Sequence, residues 1–526
     1  MSDCANDFGD VLTAITNVRL SGPRRGGRSD TEPVDVLLED GRIVEIRAVD
    51  DDHPIAIDGL VLNAEGGYLL PGLWDHHVHF TQWARTARRV DLSSAESAAE
   101  AVRIVAERIA ADPREAGRLE GALFRDALWP DAPSSDLLDG IAPDREVVLV
   151  SADLHSCWLN SAALLAMGFS GHPTGLLRED DSFDVLKQLD SVSDDLSDQW
   201  VDVAAEEAAA RGVVGVVDLE MRWNASDWLR RVGNGTRSLR VSFGIYTEHL
   251  ERAIDAGLVS GAALAGTDGL VEVGPFKVIT DGSLNTRTAC CDDPYPGAPG
   301  AGGHGLLNVQ PERLTALLTM ATANGLRCAV HAIGDRANTL ALDAIESTGA
   351  SGTIEHAQLL SSTDLERFAR TGTAASVQPE HAMDDRDIAE VHWAGRTDRA
   401  FALRSLLDAG ASLRLGSDAP VAPLDPWVSI AAAVTRRRDA RDAWHAEQMI
   451  TVEEALCAST RGDDDRVEVG RTADLVIVPL DPFTCDPSLL RTMPVLATIL
   501  AGRVTARTSS LPGDNPRRHP GADRMS

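Results

Sequence analysis

Glu312-Arg-Leu-Thr-Ala-Leu-Leu-Thr-Met-Ala-Thr-Ala-Asn-Gly-Leu-Arg-Cys-Ala-Val-His331 reads as one helix followed by one strand. The helical pattern stops at Asn324-Gly325, and the apolar run Leu326 to His331 begins at once. Glycine just past a helix, with a strand immediately after, is the expected connection of a parallel βα unit. The same grammar recurs where Arg404-Ser-Leu-Leu-Asp-Ala ends at Gly410 before Ser412-Leu-Arg-Leu-Gly-Ser-Asp418. Further candidate strands are Leu69 to Asp75, Val147 to Ala152, Val213 to Asp218, Val241 to Tyr246, Val271 to Thr280, Gly352 to His356 and Ala374 to Gln378. About eight such units predict an α/β fold closed into a (β/α)8 TIM-like barrel over residues 69–463.

The two ends of the chain read differently. Residues 10–68 are a string of short strands, Val34-Asp-Val-Leu-Leu and Ile43-Val-Glu-Ile among them, broken by the hairpin signal Asp40-Gly41. Ala473-Asp-Leu-Val-Ile-Val-Pro-Leu and Val495-Leu-Ala-Thr-Ile-Leu-Ala-Gly-Arg-Val carry the same signature, so residues 464–507 are expected to complete a composite β-sandwich with 10–68. The stretch 84–200 is too long for one βα connection and is read as a helical insertion beside the barrel mouth. The Pro-, Arg- and Gly-rich tail 508–526 is expected to be disordered.

Composition narrows the partners. With 526 residues, 44% hydrophobic and 25% charged, this is the profile of an ordinary globular protein. A net charge of −32 argues against nucleic acid and anionic membrane surfaces, both of which require a basic patch. Seven cysteines without regular spacing make neither a disulfide framework nor a Cys-x-x-Cys metal motif. No basic stretch followed by an apolar one opens the chain, and no run approaches ~18 apolar residues. A cytoplasmic protein with a small-molecule partner is the expectation. Closed dimers being common among enzymes, a homodimer is the assembly to test, although no interface is legible.

Chemistry sits where the candidate strands end. In Leu70-Pro-Gly-Leu-Trp-Asp-His-His-Val-His79, a separation of two residues puts His77 and His79 on one face of a strand, while His76 points the other way. His331, His356 and Asp418 each end a separate apolar strand, and polar groups at such ends converge on one rim of a barrel. Lys277 lies in the apolar run Gly-Pro-Phe-Lys-Val-Ile-Thr-Asp-Gly and is one of two lysines against 47 arginines. A buried cation is costly, so a chain that uses arginine almost everywhere keeps this amine for a reason. A neutral lysine amine can capture carbon dioxide as an anionic carbamate; the bland alternative is an ion pair with a neighbour such as Asp281.

These motifs resemble the amidohydrolase superfamily, and more narrowly the amidohydrolase family 3 group that includes N-substituted formamide deformylases. The resemblance is carried by Pro71-Gly-Leu-Trp-Asp-His-His-Val-His, Asp153-Leu-His-Ser-Cys-Trp-Leu-Asn-Ser161, Phe276-Lys-Val-Ile-Thr-Asp-Gly-Ser, Val330-His-Ala-Ile-Gly-Asp-Arg-Ala-Asn, Ile354-Glu-His-Ala-Gln, Ser376-Val-Gln-Pro-Glu-His and Leu415-Gly-Ser-Asp-Ala-Pro-Val. It implies that His77 and His79 ligate the more buried of two metals, that carbamylated Lys277 bridges to a second held by His331 and His356, and that Asp418 binds the first metal and handles protons. Nitrogen and carboxylate ligands without thiolates fit Zn²⁺, with Mn²⁺, Fe²⁺ or Co²⁺ as alternatives. The expected reaction is hydrolysis of a non-peptide C–N bond, a linear amide such as an N-formyl or N-acyl amine. A deaminase or a phosphotriesterase of the same superfamily, and a non-catalytic regulator, are the competing readings.

Outside the ligands, His155, Asn160, His381 and, in the glycine-rich loop 281–305, Arg287 and Tyr295 are candidates for substrate contact, each with a plain structural alternative. Asp335 and Arg336 read as a loop salt bridge. The stretch Cys457 to Gly470 is shorter than the family pattern, which leaves barrel–sandwich packing as the feature to check.

Overall fold

A computed structural model describes residues 11–21, 32–49, 59–111, 117–124, 126, 129–151, 156–178, 180–190, 193–297, 301–462 and 466–508. It divides into two compact units, residues 1–80 with 205–526 and residues 81–204.

The first unit opens with β1 (Leu12–Leu20), β2 (Val34–Glu39), β3 (Arg42–Ala48), β4 (Leu60–Asn63) and β5 (Tyr68–Pro71). Asp40 and Gly41 take φ of 49° and 71°, the paired left-handed conformation of a tight hairpin turn, and Glu39 sits opposite Arg42. After Gly72 the chain enters the barrel as β6 (Leu73–Val78). The expected single strand from Leu69 to Asp75 is therefore two strands in two different sheets. Gly72 is the joint: its N–H donates to Asp474 O at 2.8 Å, and a Cβ there would meet Val214 Cγ1 at 2.4 Å.

The second unit carries β7 (Val90–Asp91), β8 (Leu119–Phe124), β9 (Val147–Ser151), β10 (Ser156–Leu159) and β11 (Leu176–Arg178), one five-stranded sheet flanked by helices such as Ala98–Ala111 and Ser161–Ala166. The purely helical insertion is thus corrected, and Val147 to Ala152 is not a barrel strand. Every residue of β9 is buried, and a strand covered on both faces has the same apolar run wherever it sits, so periodicity could not assign it to a sheet.

The barrel continues in the first unit with β12 (Val213–Asp218), β13 (Arg240–Tyr246), β14 (Val271–Ile279), β15 (Cys328–Ala332), β16 (Gly352–His356), β17 (Ala374–Val377) and β18 (Leu413–Leu415). The order β18-β17-β16-β15-β14-β13-β12-β6 is parallel throughout. The gap between β18 and β6 is bridged at the C-terminal rim, where Asp418 N–H donates to His77 O at 2.7 Å and His79 N–H to Ala419 O at 2.9 Å.

Last come β19 (Leu475–Val478), β20 (Ala497–Leu500) and β21 (Arg503–Arg507). With β1 to β5 they form one eight-stranded mixed sheet in which β5 pairs β19, so both ends of the chain are knitted together as expected. Leu12, Ile15, Val36, Ile43, Leu475 and Ile499 share its core. Asp474 fastens this sheet to the barrel, accepting two hydrogen bonds from Arg240, Nε at 2.6 Å and Nη2 at 3.1 Å. The shortened stretch after Cys457 holds both layers: Ser459 O accepts from Trp74 N–H at 2.7 Å and Gly470 N–H donates to Ile43 O at 2.7 Å. The tail 509–526 lies outside the described residues.

Because Gly72 leaves no room for a methyl group, Gly72→Ala is expected to cost about 1–3 kcal/mol, the usual range for overpacking. Chemical denaturation will show a lower midpoint at unchanged slope.

Candidate metal centre

Two of the ligand candidates sit where the backbone turns at or just past the end of a barrel strand. His356 closes β16 with φ 73° and Asp418 follows β18 with φ 57°, left-handed values that non-glycine residues adopt at a cost and that recur at functional sites. In β16 this turn lets Glu355 and His356, consecutive residues of a strand, both face the barrel interior.

His77, His356 and Asp418 each place a ligand atom within 4.8 Å of the others. Asp418 Oδ1 lies 3.5 Å from His77 Nε2 and 3.4 Å from His79 Nε2, and its Oδ2 lies 3.8 Å from His381 Nε2. The His77 and His356 rings are 4.9 Å apart, and those of His331 and His356 4.5 Å. Lys277 is 2% exposed, and its Nζ finds no hydrogen-bond partner among the described residues. The same holds for His79 Nδ1 and His381 Nε2.

Burial, reinforced by Lys277, lowers the pKa of His77 and takes that of His331 to about 3; burial also drives His356 well down. These imidazoles are therefore neutral, with lone pairs to give. In His79 burial is outweighed by Asp418, which raises its pKa. Burial lowers the Lys277 amine against the opposing pull of Glu355 and Asp418. Asp418 itself titrates well below the usual carboxylate range, because the surrounding imidazoles overcome the effect of burial.

Behind the ligands stand groups that the sequence did not single out. Glu355 Oε2 accepts from His77 Nδ1 at 2.6 Å, and Gln378 Oε1 accepts from His356 Nδ1 at 2.8 Å. Asp75 accepts from His77 N–H at 3.0 Å and from Ser417 N–H at 3.0 Å, clamping the seam between β6 and β18. Asp281 does not pair with Lys277: it accepts from the backbone N–H groups of Cys290, Ile333 and Gly334 and lies 3.4 Å from His331 Nε2. Burial lifts its carboxyl to about 7. Buried acids next to histidine-bearing strand ends were the available signal, visible as Trp-Asp-His-His and Ile-Glu-His in the sequence.

The remaining candidates scatter. His76 turns away, its Nε2 2.9 Å from Thr460 O. Asn160, in the second unit, is wholly buried and spends its side chain on backbone: Nδ2 donates to Ala142 O and Arg145 O, while Oδ1 accepts from the N–H groups of Val147 and Ala163. That assigns it to local structure rather than substrate contact. His155 lies outside the described residues. Tyr295 is buried with its hydroxyl on Ala289 O, so it does not reach out from its loop. Arg287 is exposed, and its charge falls on His392, whose pKa is lowered by burial and then by this neighbour. Asp335 pairs with Arg399 at 3.3 Å rather than with Arg336.

A barrel rim of this composition defines a class, and sequence comparison identifies it. The chain belongs to the amidohydrolase family, whose sequence profile matches residues 60–506. It is 30% identical to the Arabidopsis thaliana protein LONG AFTER FAR-RED 3, the match covering 89% of this chain and 87% of that one. It is 26% identical to the N-substituted formamide deformylase of Arthrobacter pascens over 94% of this chain and 97% of that enzyme. The fold matches the crystal structure of an uncharacterized metal-dependent hydrolase from Pyrococcus horikoshii with a TM-score of 0.74 and 24% identity, over 90% of this chain and 99% of that one. Among the described residues no helix is long and apolar enough to cross a membrane.

Asn160→Ala is expected to lower stability while leaving KM for any substrate unchanged; a raised KM in a folded variant would reinstate the substrate contact. Near the rim, Asp218 is buried, accepts from Phe80 N–H, Glu220 N–H and Trp228 Nε1–H, and is pushed up to about 6 by burial and then by Glu220. Between the ordinary value of 3.8 and about 6 the folded chain holds a proton that the unfolded chain has released, so this residue's contribution to stability falls as pH rises across that window. Asp218→Asn abolishes the decline. Its stability relative to the parent should improve between pH 4 and pH 6.5, and a pH-independent difference in denaturation curves would refute the assignment.

Proposed function

We propose that this chain is a metal-dependent hydrolase of a non-peptide C–N bond in a small molecule, most specifically a linear amide of the N-formyl or N-acyl amine type. The observation that carries the reading is Asp418, whose Oδ1 lies within 3.5 Å of both imidazole nitrogens of the His-x-His pair while a third imidazole, His356, completes a buried cluster. The donor set fits a divalent cation: imidazoles of which burial favours the neutral form in His77, His331 and His356, one ionised carboxylate, no thiolate, and buried nitrogen atoms on His79, His381 and Lys277 that have no hydrogen-bond partner among the described residues.

In this reading His77, His79 and Asp418 hold one metal and His331 and His356 a second, Zn²⁺ being the first choice. Lys277 belongs to the same set as a carbamate, because burial favours its neutral amine, the form that adds carbon dioxide. Bound metal supplies a Lewis acid and lowers the pKa of water. Asp418, ionised and fixed by its backbone bond to His77, accepts a proton from the attacking water and returns it to the departing nitrogen as the C–N bond breaks. The products are a carboxylate and an amine. His381 is taken as a substrate contact in this reading, supported by its approach to the second oxygen of Asp418 at 3.8 Å. The likeness to the formamide deformylase supports the bond type.

The test is metal analysis of the purified chain, intact mass for a carbon dioxide adduct at Lys277, and a screen of N-formyl and N-acyl amines before and after chelation. Activity lost to a chelator and restored by Zn²⁺ or Mn²⁺ is expected; a folded, metal-loaded protein that hydrolyses none of them overturns the substrate class. Asp418→Asn should lower kcat/KM by about 10²–10⁴, the usual contribution of a positioned general acid–base group.

A further inference from the structure

Two of the rim imidazoles are backed by different chemistry. His77 Nδ1 meets the carboxylate of Glu355 at 2.6 Å, whereas His356 Nδ1 meets the neutral amide oxygen of Gln378 at 2.8 Å. Both acceptors are buried, Glu355 at 2% exposure and Gln378 at 2%. The other carboxylate oxygen of Glu355 accepts from the Thr353 hydroxyl, so each oxygen of the acid has an assigned donor.

A carboxylate accepts only, so the imidazole proton belongs on His77 Nδ1 and the lone pair on Nε2, the atom 3.5 Å from Asp418 Oδ1. Charge-assisted hydrogen bonds are stronger than neutral ones, and an imidazole that donates to a carboxylate is a more basic ligand than one that donates to an amide.

We infer that Glu355 is a positioning residue that fixes His77 in the Nδ1–H tautomer and makes it a stronger metal ligand than the amide-backed His356. The part concerning affinity rests on the metal-dependent reading above, and the part concerning the tautomer does not. A carboxylate serving only as counter-charge to buried Lys277 leaves the His77 tautomer free.

The experiment uses the full chain with ¹⁵N-labelled histidine. Long-range proton–nitrogen spectra of the metal-free protein, with the His77 signals assigned by their loss in His77→Gln, are expected to show protonation at Nδ1 alone. Zn²⁺ affinity, measured by competition with a chromophoric chelator, is expected to fall about 10–100-fold in Glu355→Gln, the range for loss of such partners. Protonation of His77 at Nε2 in the parent overturns the inference, as does a folded Glu355→Gln variant that binds Zn²⁺ as tightly as the parent. If Glu355→Gln does not fold, the parent's tautomer still decides. A parent chain that binds no Zn²⁺ sinks the metal-dependent reading and the affinity half of this one, while the spectra still judge what Glu355 does to His77.

Discussion

The site depends on how the barrel closes. Residues 77 and 418 are brought together by the seam between the first and last strands, through two backbone hydrogen bonds at the rim and the Asp75 carboxylate that spans Ser417 and His77. Parallel strands this short offer few ladder bonds, so the seam is narrow: β18 has only three residues. The acid below the ligands therefore does structural work that the missing ladder does not. Burial carries Asp75 up to about 6 although the Ser417 side chain and the backbone N–H groups of His77 and Ser417 all answer it.

Around that seam the electrostatics follow from exclusion of water. Burial lowers the pKa of His77, His331 and His356 and makes the Lys277 amine easier to deprotonate, while Asp418 stays well below the ordinary carboxylate range. A set of unprotonated nitrogens around one charged oxygen is poised for a cation, and in low dielectric each such group is more costly alone than in company. His79 Nδ1, His381 Nε2 and Lys277 Nζ are the residue of that arrangement: buried polar atoms at the rim with no hydrogen-bond partner among the described residues.

Much of this was legible in the sequence, for reasons specific to each element. The helix–Asn-Gly–strand unit at 312–331 gave the barrel because the residue types that end a helix and start a strand are local properties. Asp40-Gly41 gave its hairpin for the same reason. The nature of the insertion was not legible, since β9, buried on both faces, looks like any barrel strand. Nor was the split at Gly72, where close packing on Val214, more than a hundred residues away, leaves no room for a side chain. At the site, ligand candidates announced themselves by ending apolar strands, whereas Glu355, Gln378 and Asp75 matter through what lies across the barrel. Asn160 looked like a functional loop residue, yet its four hydrogen bonds to backbone explain its presence without a substrate.

The His-x-His strand begins two residues after β5, and β5 is paired with β19 near the far end of the chain. β1 lies along one edge of β5, but its other edge waits for some four hundred later residues before β19 arrives. Such long-range pairing carries a heavy loop-closure cost and exposes an apolar edge meanwhile. Completion of the sheet that holds β5 is thus a long-range event, unlike the local helix–strand units from which the barrel is built.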